Sequence, residues 1–110
     1  MSAENAKDAA QSWVASAGLP EDLRGRTVQL VTFTSDEDCR FFYPRRALLW
    51  QQQVNTYISR AVRGRKAKVM RVTLTPEMFY AWMREQTHPP VGDSKRSYAD
   101  SFQKLLPPEA

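Results

Sequence analysis

The amino-acid sequence predicts an α+β domain, or a small α/β one. It would comprise a three-stranded sheet, a long crossover helix and flanking N- and C-terminal helices in the order α-β-β-α-β-α-α. Three observations lead there. Apolar residues recur at helical spacing in separate segments; β-branched runs stand at 27–34 and 67–74; and Arg45 to Arg63, free of Gly, Pro and acid, lies between those runs. With 110 residues, 42% of them apolar, the chain is expected to fold as one compact domain over 1–110, with 1–8 and 107–110 frayed.

The first element is a short amphipathic helix over Ala3 to Ala17, with Ala6, Ala9, Ala10, Trp13, Val14 and Ala17 at helical spacing and Gly18 as its stop. After a charged link, Thr27 to Thr34 reads as a strand in which Val28 and Leu30 alternate with Gln29. Ser35 to Asp38 separates it from Cys39 to Tyr43, a spacing that fits a hairpin and a second strand. Without that second strand the unit reduces to β-α-β with a parallel pair; with it, the first strand becomes central.

Pro44 stands where a first-turn proline belongs, so the long helix is expected to run from Arg45 to Arg63, about 28 Å at 1.5 Å per residue. Ala47, Trp50, Val54, Tyr57, Ile58 and Ala61 form its apolar stripe, opposite Arg45, Gln52, Thr56, Ser59 and Arg63, with Arg46, Gln53 and Arg60 beside the polar stripe. Gly64 ends it, and the corner Arg65-Lys66 leads to a strand over Ala67 to Leu74. Thr75 caps a helix with Pro76 in its first turn and Met78, Phe79, Trp82 and Met83 on its buried face. His88 to Gly92 breaks it, and Asp93 or Ser94 starts a last helix lined by Tyr98, Phe102 and Leu105.

Charge is the sharper functional signal. From Cys39 to Pro76 no acid interrupts nine cations, Arg40, Arg45, Arg46, Arg60, Arg63, Arg65, Lys66, Lys68 and Arg71, while the rest of the chain carries seven cations and all twelve acids. A formal +4 therefore divides into a +9 block and a −5 remainder. Arg, with its planar fork of donors, dominates the block and suits phosphate and carboxylate alike. Cys39 is the single cysteine, which excludes an intramolecular disulfide and fits a cytoplasmic setting. No run has the length of a membrane span or a signal-peptide core.

These features predict a binding module without cofactor, metal or catalytic residue. Its expected partner is nucleic acid, DNA or RNA, or else an acidic protein surface in a regulatory, adaptor or inhibitor role. The assigned binding residues are Arg45, Arg46, Gln52, Gln53, Thr56, Arg60, Arg63, Arg65, Lys66 and Lys68, where cations would track phosphates and the polar residues would reach backbone or base edges. Tyr80 and Tyr98 are the candidates for a protein interface, with a homodimer among the partners such a face would fit. The cluster Arg40 to Arg46, in which Phe41, Phe42 and Tyr43 stand among cations, resembles a stacking platform in composition, although packing is the commoner fate of such aromatics. Among enzyme classes a metal-dependent nuclease using Asp36, Glu37 and Asp38 fits best, but three adjacent turn residues point in different directions. Cys39 and His88 lack the third group and oxyanion hole that a nucleophilic pair requires.

Overall fold

The computed structural model describes residues 3–87 and 94–108. Among them the chain forms five helices and a three-stranded mixed sheet, an α+β arrangement: α1 (Ala3–Ser16), β1 (Thr27–Phe33), α2 (Asp36–Phe42), α3 (Leu48–Gly64), β2 (Lys68–Leu74), α4 (Pro76–Arg84), α5 (Ser94–Asp100) and β3 (Lys104–Leu105). The strand order is β2-β1-β3, so the first strand is central as expected. It pairs in parallel with β2 along its whole length, from Thr27 opposite Lys68 to Phe33 opposite Leu74. The crossover between them consists of α2 and α3.

The antiparallel partner of β1 is not Cys39 to Tyr43 but β3, which places Leu105 opposite Val28 and Lys104 opposite Gln29. Local capping explains the correction. The Ser35 hydroxyl accepts the Asp38 N–H at 3.1 Å, and Asp36, Glu37 and Asp38 occupy a first turn where the helix dipole favours negative charge. Those two effects outweigh the β-propensity of the aromatics that follow, and Cys39 to Phe42 continue α2. The last helix is likewise shorter than expected: α5 ends at Asp100, Phe102 lies beyond it, and Leu105 belongs to β3, whose neighbour Leu106 donates its N–H to the Thr27 carbonyl at 2.9 Å.

The long helix starts three residues later than predicted. Tyr43 to Arg46 form a turn, with the Arg46 N–H on the Tyr43 carbonyl, and Ala47 is the N-cap. Ala47 has no capping side chain; instead the Asp36 carboxylate accepts the Leu48 N–H at 2.9 Å from twelve residues upstream. At the other end the helix closes on a Schellman motif. Lys66 N–H bonds the Arg63 carbonyl and Ala67 N–H bonds the Val62 carbonyl, which requires a left-handed residue at Lys66, with φ 75°. Gly64, the expected terminator, is the last helical residue and lies two positions before that turn.

The sheet is covered on both faces. Val28 and Leu30 pack against Val54, Ile58 and Val62 of α3 and Ala6 and Ala10 of α1. Val31, Phe33 and Leu74 face the other way, onto Phe42, Phe79, Tyr98 and Ala99. Alternation along β1 thus divides the core into two clusters. Residues 3–8, expected to fray, lie within α1, with Ala6 fully buried. The capping of α4 is as predicted: Thr75 accepts the Met78 N–H and Pro76 opens the helix. The break over 88–92 and the cap at Asp93 lie outside the described residues.

Candidate functional site

The buried face of α3 is rotated from the predicted stripe. Gln51, Val54, Asn55, Ile58, Ser59 and Val62 point inward, so Ser59 leaves the outward polar stripe and Ala61 leaves the apolar one. Two of the inward polar residues, Gln51 and Asn55, have a structural purpose, whereas the buried Ser59 hydroxyl has no hydrogen-bond partner among the described residues. β3 is too short to cover the upper half of β1, and Val31 presents its carbonyl and N–H along that open edge. Asn55 donates Nδ2 to the Val31 carbonyl at 2.8 Å, while Gln103 Oε1 accepts the Val31 N–H at 3.4 Å. Side chains thereby replace the missing strand. The chain of bonds continues from Gln51 Nε2 to Asn55 Oδ1 at 3.1 Å and from Arg46 Nη1 to Gln51 Oε1 at 2.9 Å.

Arg46 is therefore half-buried and tied into the fold rather than standing free beside the polar stripe. Its half-buried guanidinium lies 4.2 Å from the Tyr43 ring centroid and 4.7 Å from that of Trp50. Burial pulls its pKa down. Beside it the Tyr43 hydroxyl donates to Asp100 Oδ1 at 2.6 Å. Arg65 is anchored as well: its Nη1 donates to the carbonyls of Leu19 and Pro20, and its own carbonyl accepts the Leu23 N–H.

The remaining assigned residues lie outward. Gln52, Thr56, Arg60 and Arg63 are exposed on α3, Gln53 is half-buried, and Arg45 is exposed in the turn before the helix. Thr56 donates its hydroxyl to the Gln52 carbonyl at 3.0 Å, so its hydroxyl proton is already used within the helix. Lys66 and Lys68 are exposed at the corner and the start of β2. The end of α3 and the start of β2 thus bring Arg60, Arg63, Arg65, Lys66 and Lys68 to one end of the fold. Arg45 stands at the opposite end of α3, about 26 Å away along a 17-residue helix. Among the described residues one salt bridge forms, Arg40 to Asp36 at 2.6 Å, so Arg45, Arg60, Arg63, Lys66, Lys68 and Arg71 have no ion-pair partner there.

Lys7 is a cation that the sequence reading missed. With Arg60 and Arg65 it borders a groove of about 560 Å³ between α1 and α3, lined by Ala10, Val14, Ala15, Tyr57 and Ala61. The available signal was its position in α1, one turn before Ala10 and Gln11 on the flank of the apolar stripe. A second groove, of about 370 Å³, lies at the other end of α3 among Arg40, Arg45, Leu49, Trp50 and Gln53.

The aromatic residues divide between core and surface. Phe42 and Tyr43 are buried, Phe41 is half-buried, and Phe41 meets Phe79 and Tyr80 edge-on at 5.9 and 5.7 Å. The platform suggested by composition is thus an internal cluster. Tyr98, expected at an interface, is buried because Phe42, Phe79, Trp82 and Phe102 surround it. Tyr80 remains exposed.

Asp36 spends both carboxylate oxygens inside the fold, Oδ1 on the Leu48 N–H and Oδ2 on Arg40 Nε. Those two contacts, the backbone bond first, hold its pKa below the usual carboxylate value. Cys39 is fully buried and donates Sγ–H toward the Arg46 carbonyl at 3.5 Å; burial pushes its thiol up to about 11. That favours an inert, protonated side chain over a nucleophile. Among the described residues no group of three His, Cys, Asp or Glu could hold a metal ion, and no helix is long and apolar enough to cross a membrane. No protein-family model, curated protein or solved structure matches the chain.

Proposed function

We propose that this protein is a binding module that engages nucleic acid through the exposed cations at the α3–β2 end, Arg60, Arg63, Lys66 and Lys68, extended along α3 by Gln52, Thr56 and Arg45. The observation that carries the reading is the unpaired state of those cations among the described residues. Solvated cations with no internal carboxylate break no ion pair when a polyanion arrives, and counterion release then favours association. The left-handed Lys66 adds support. Glycine is the favoured residue at that position of a Schellman motif, and a side chain there costs about 1 kcal/mol. A cation held at a strained backbone position points to a role for its charge.

Arg46 acts in this reading as part of the frame, bracing the α2–α3 turn, while Arg65 ties the end of α3 to the link after α1 and lines the rim of the α1–α3 groove. The setting is cytoplasmic, where a single buried thiol needs no partner. Binding to mixed oligonucleotides should fall steeply between low and physiological salt, and Arg60→Glu with Arg63→Glu should weaken it for all sequences alike. Tight binding insensitive to both would refute the proposal.

One observation favours a protein partner instead. Leu49 is 67% exposed on the outward side of α3, beside Arg45 and the second groove. An apolar side chain ringed by Arg suits an acidic protein surface with an apolar anchor. Capture of a partner that survives nuclease digestion and is lost in Leu49→Asp would favour that reading. Tyr98 contributes nothing to such a face, which leaves Tyr80 as the remaining aromatic candidate for a protein partner or a second copy of the chain.

A further inference from the structure

We infer that the groove between α1 and α3 seats an unpaired base of a single-stranded nucleic acid, with flanking phosphates on its cationic rim. The inference rests on the nucleic-acid reading above and names the strand type it selects. The groove, about 560 Å³, combines an apolar floor with charge at its opening. Ala10 and Ala61 are small, so little side-chain bulk fills the groove between the helices and a planar ring has room there. Tyr57 supplies a half-buried ring, and the Arg60 guanidinium already stands 5.9 Å above its centroid. A base entering beside them meets an aromatic ring and a cation together, and stacking accepts any base because every base has a π-face.

The rim gives the occupant its charge. Lys7 comes from one wall and Arg60 and Arg65 from the other, and no acid is among the described residues that line the groove. Arg65 is held in place by the Leu19 and Pro20 carbonyls, so it loses little side-chain freedom on meeting a phosphate. An apolar slot between cations matches a strand that offers bases and phosphates alternately. A duplex keeps its bases stacked inside and would reach the rim but not the floor.

The test compares a labelled oligothymidylate of roughly twelve nucleotides, a duplex of the same length and a polyglutamate peptide, by fluorescence anisotropy at low salt. Ala61→Leu fills the groove from an exposed helical position without changing charge, and Ala15→Leu does the same from α1. Each should lower single-strand affinity about tenfold and leave duplex affinity within about twofold, whereas Arg60→Glu should lower both. If both nucleic acids bind and the filled grooves change neither, or change both equally, the base seat is wrong and the nucleic-acid reading stands. If neither binds while polyglutamate does, both fall.

Discussion

Lys66, in a left-handed backbone conformation, and Cys39, sealed in the core, each yield a test. Lys66 adopts φ 75° so that the N–H groups at 66 and 67 can close α3 onto the Arg63 and Val62 carbonyls. Lys66→Gly should therefore raise unfolding free energy by about 1 kcal/mol in urea titrations. The same variant should bind nucleic acid more weakly, separating the residue's backbone cost from the use of its charge. Cys39 is the second. Burial disfavours its thiolate, and the folded pKa of about 11 exceeds the ordinary value of 9.0. Stability from the buried neutral thiol is present below pH 9 and is lost as pH rises toward 11. Tyr43 shifts the same way, first through burial and then through its bond to Asp100. The native thiol should resist a disulfide reagent at pH 8 and react fully once urea unfolds the chain; rapid native reaction would contradict the burial. Asp36 has the opposite sign. Its pKa is depressed, so its contribution is complete above the ordinary 3.8 and disappears as pH falls below it.

At the scale of elements, the fold turns on how the central strand is finished. β3 pairs β1 only at Val28 and Gln29, and beyond that point Asn55 and Gln103 serve the Val31 backbone. Asn55→Leu preserves the helix but leaves the Val31 carbonyl and Gln51 without their partner. It should cost about 1–3 kcal/mol in equilibrium unfolding, against less than about 0.5 kcal/mol for Gln52→Leu on the exposed side. The sequence reading missed this because polar Gln51, Asn55 and Ser59 fall at successive turns and resemble a solvated stripe. Hydropathy patterning registers polarity, whereas Asn55, with Gln51 behind it, is buried because an unfinished sheet edge needs side-chain donors and acceptors; the Ser59 hydroxyl is buried with no hydrogen-bond partner among the described residues. α2 escaped for a related reason. Ser35 and the three acids after it are helix-start signals, and the aromatic run drew the assignment toward a strand. Where pattern and capping agreed, as at β1, β2 and the Thr75-Pro76 start of α4, the elements appear as predicted.

For the whole molecule, what was legible of the candidate site was its charge, and what was not was which charges face solvent. The nine cations read alike in sequence, yet the fold assigns Arg46 to the interior, Arg40 to Asp36 and Arg65 to backbone carbonyls. Neighbouring aromatics and acids decide this in three dimensions: Arg46 falls between Tyr43 and Trp50 because the turn before α3 brings them together. The division predicts two classes of variant. Neutralising an exposed cation, as in Arg63→Gln or Lys68→Gln, should leave stability within about 0.5 kcal/mol. It should lower the slope of log affinity against log salt by about 0.7 per charge for single strands, or about 0.9 for duplex DNA. Arg46→Gln should do the reverse. It removes two cation–π contacts and a hydrogen bond, so unfolding free energy should drop by about 1–3 kcal/mol, while the salt slope of the folded protein stays unchanged. Urea titrations paired with affinity measured at several salt concentrations distinguish the classes. A salt slope that responded to Arg46 as strongly as to Arg63 would place the internal guanidinium on the binding surface and overturn the division of roles.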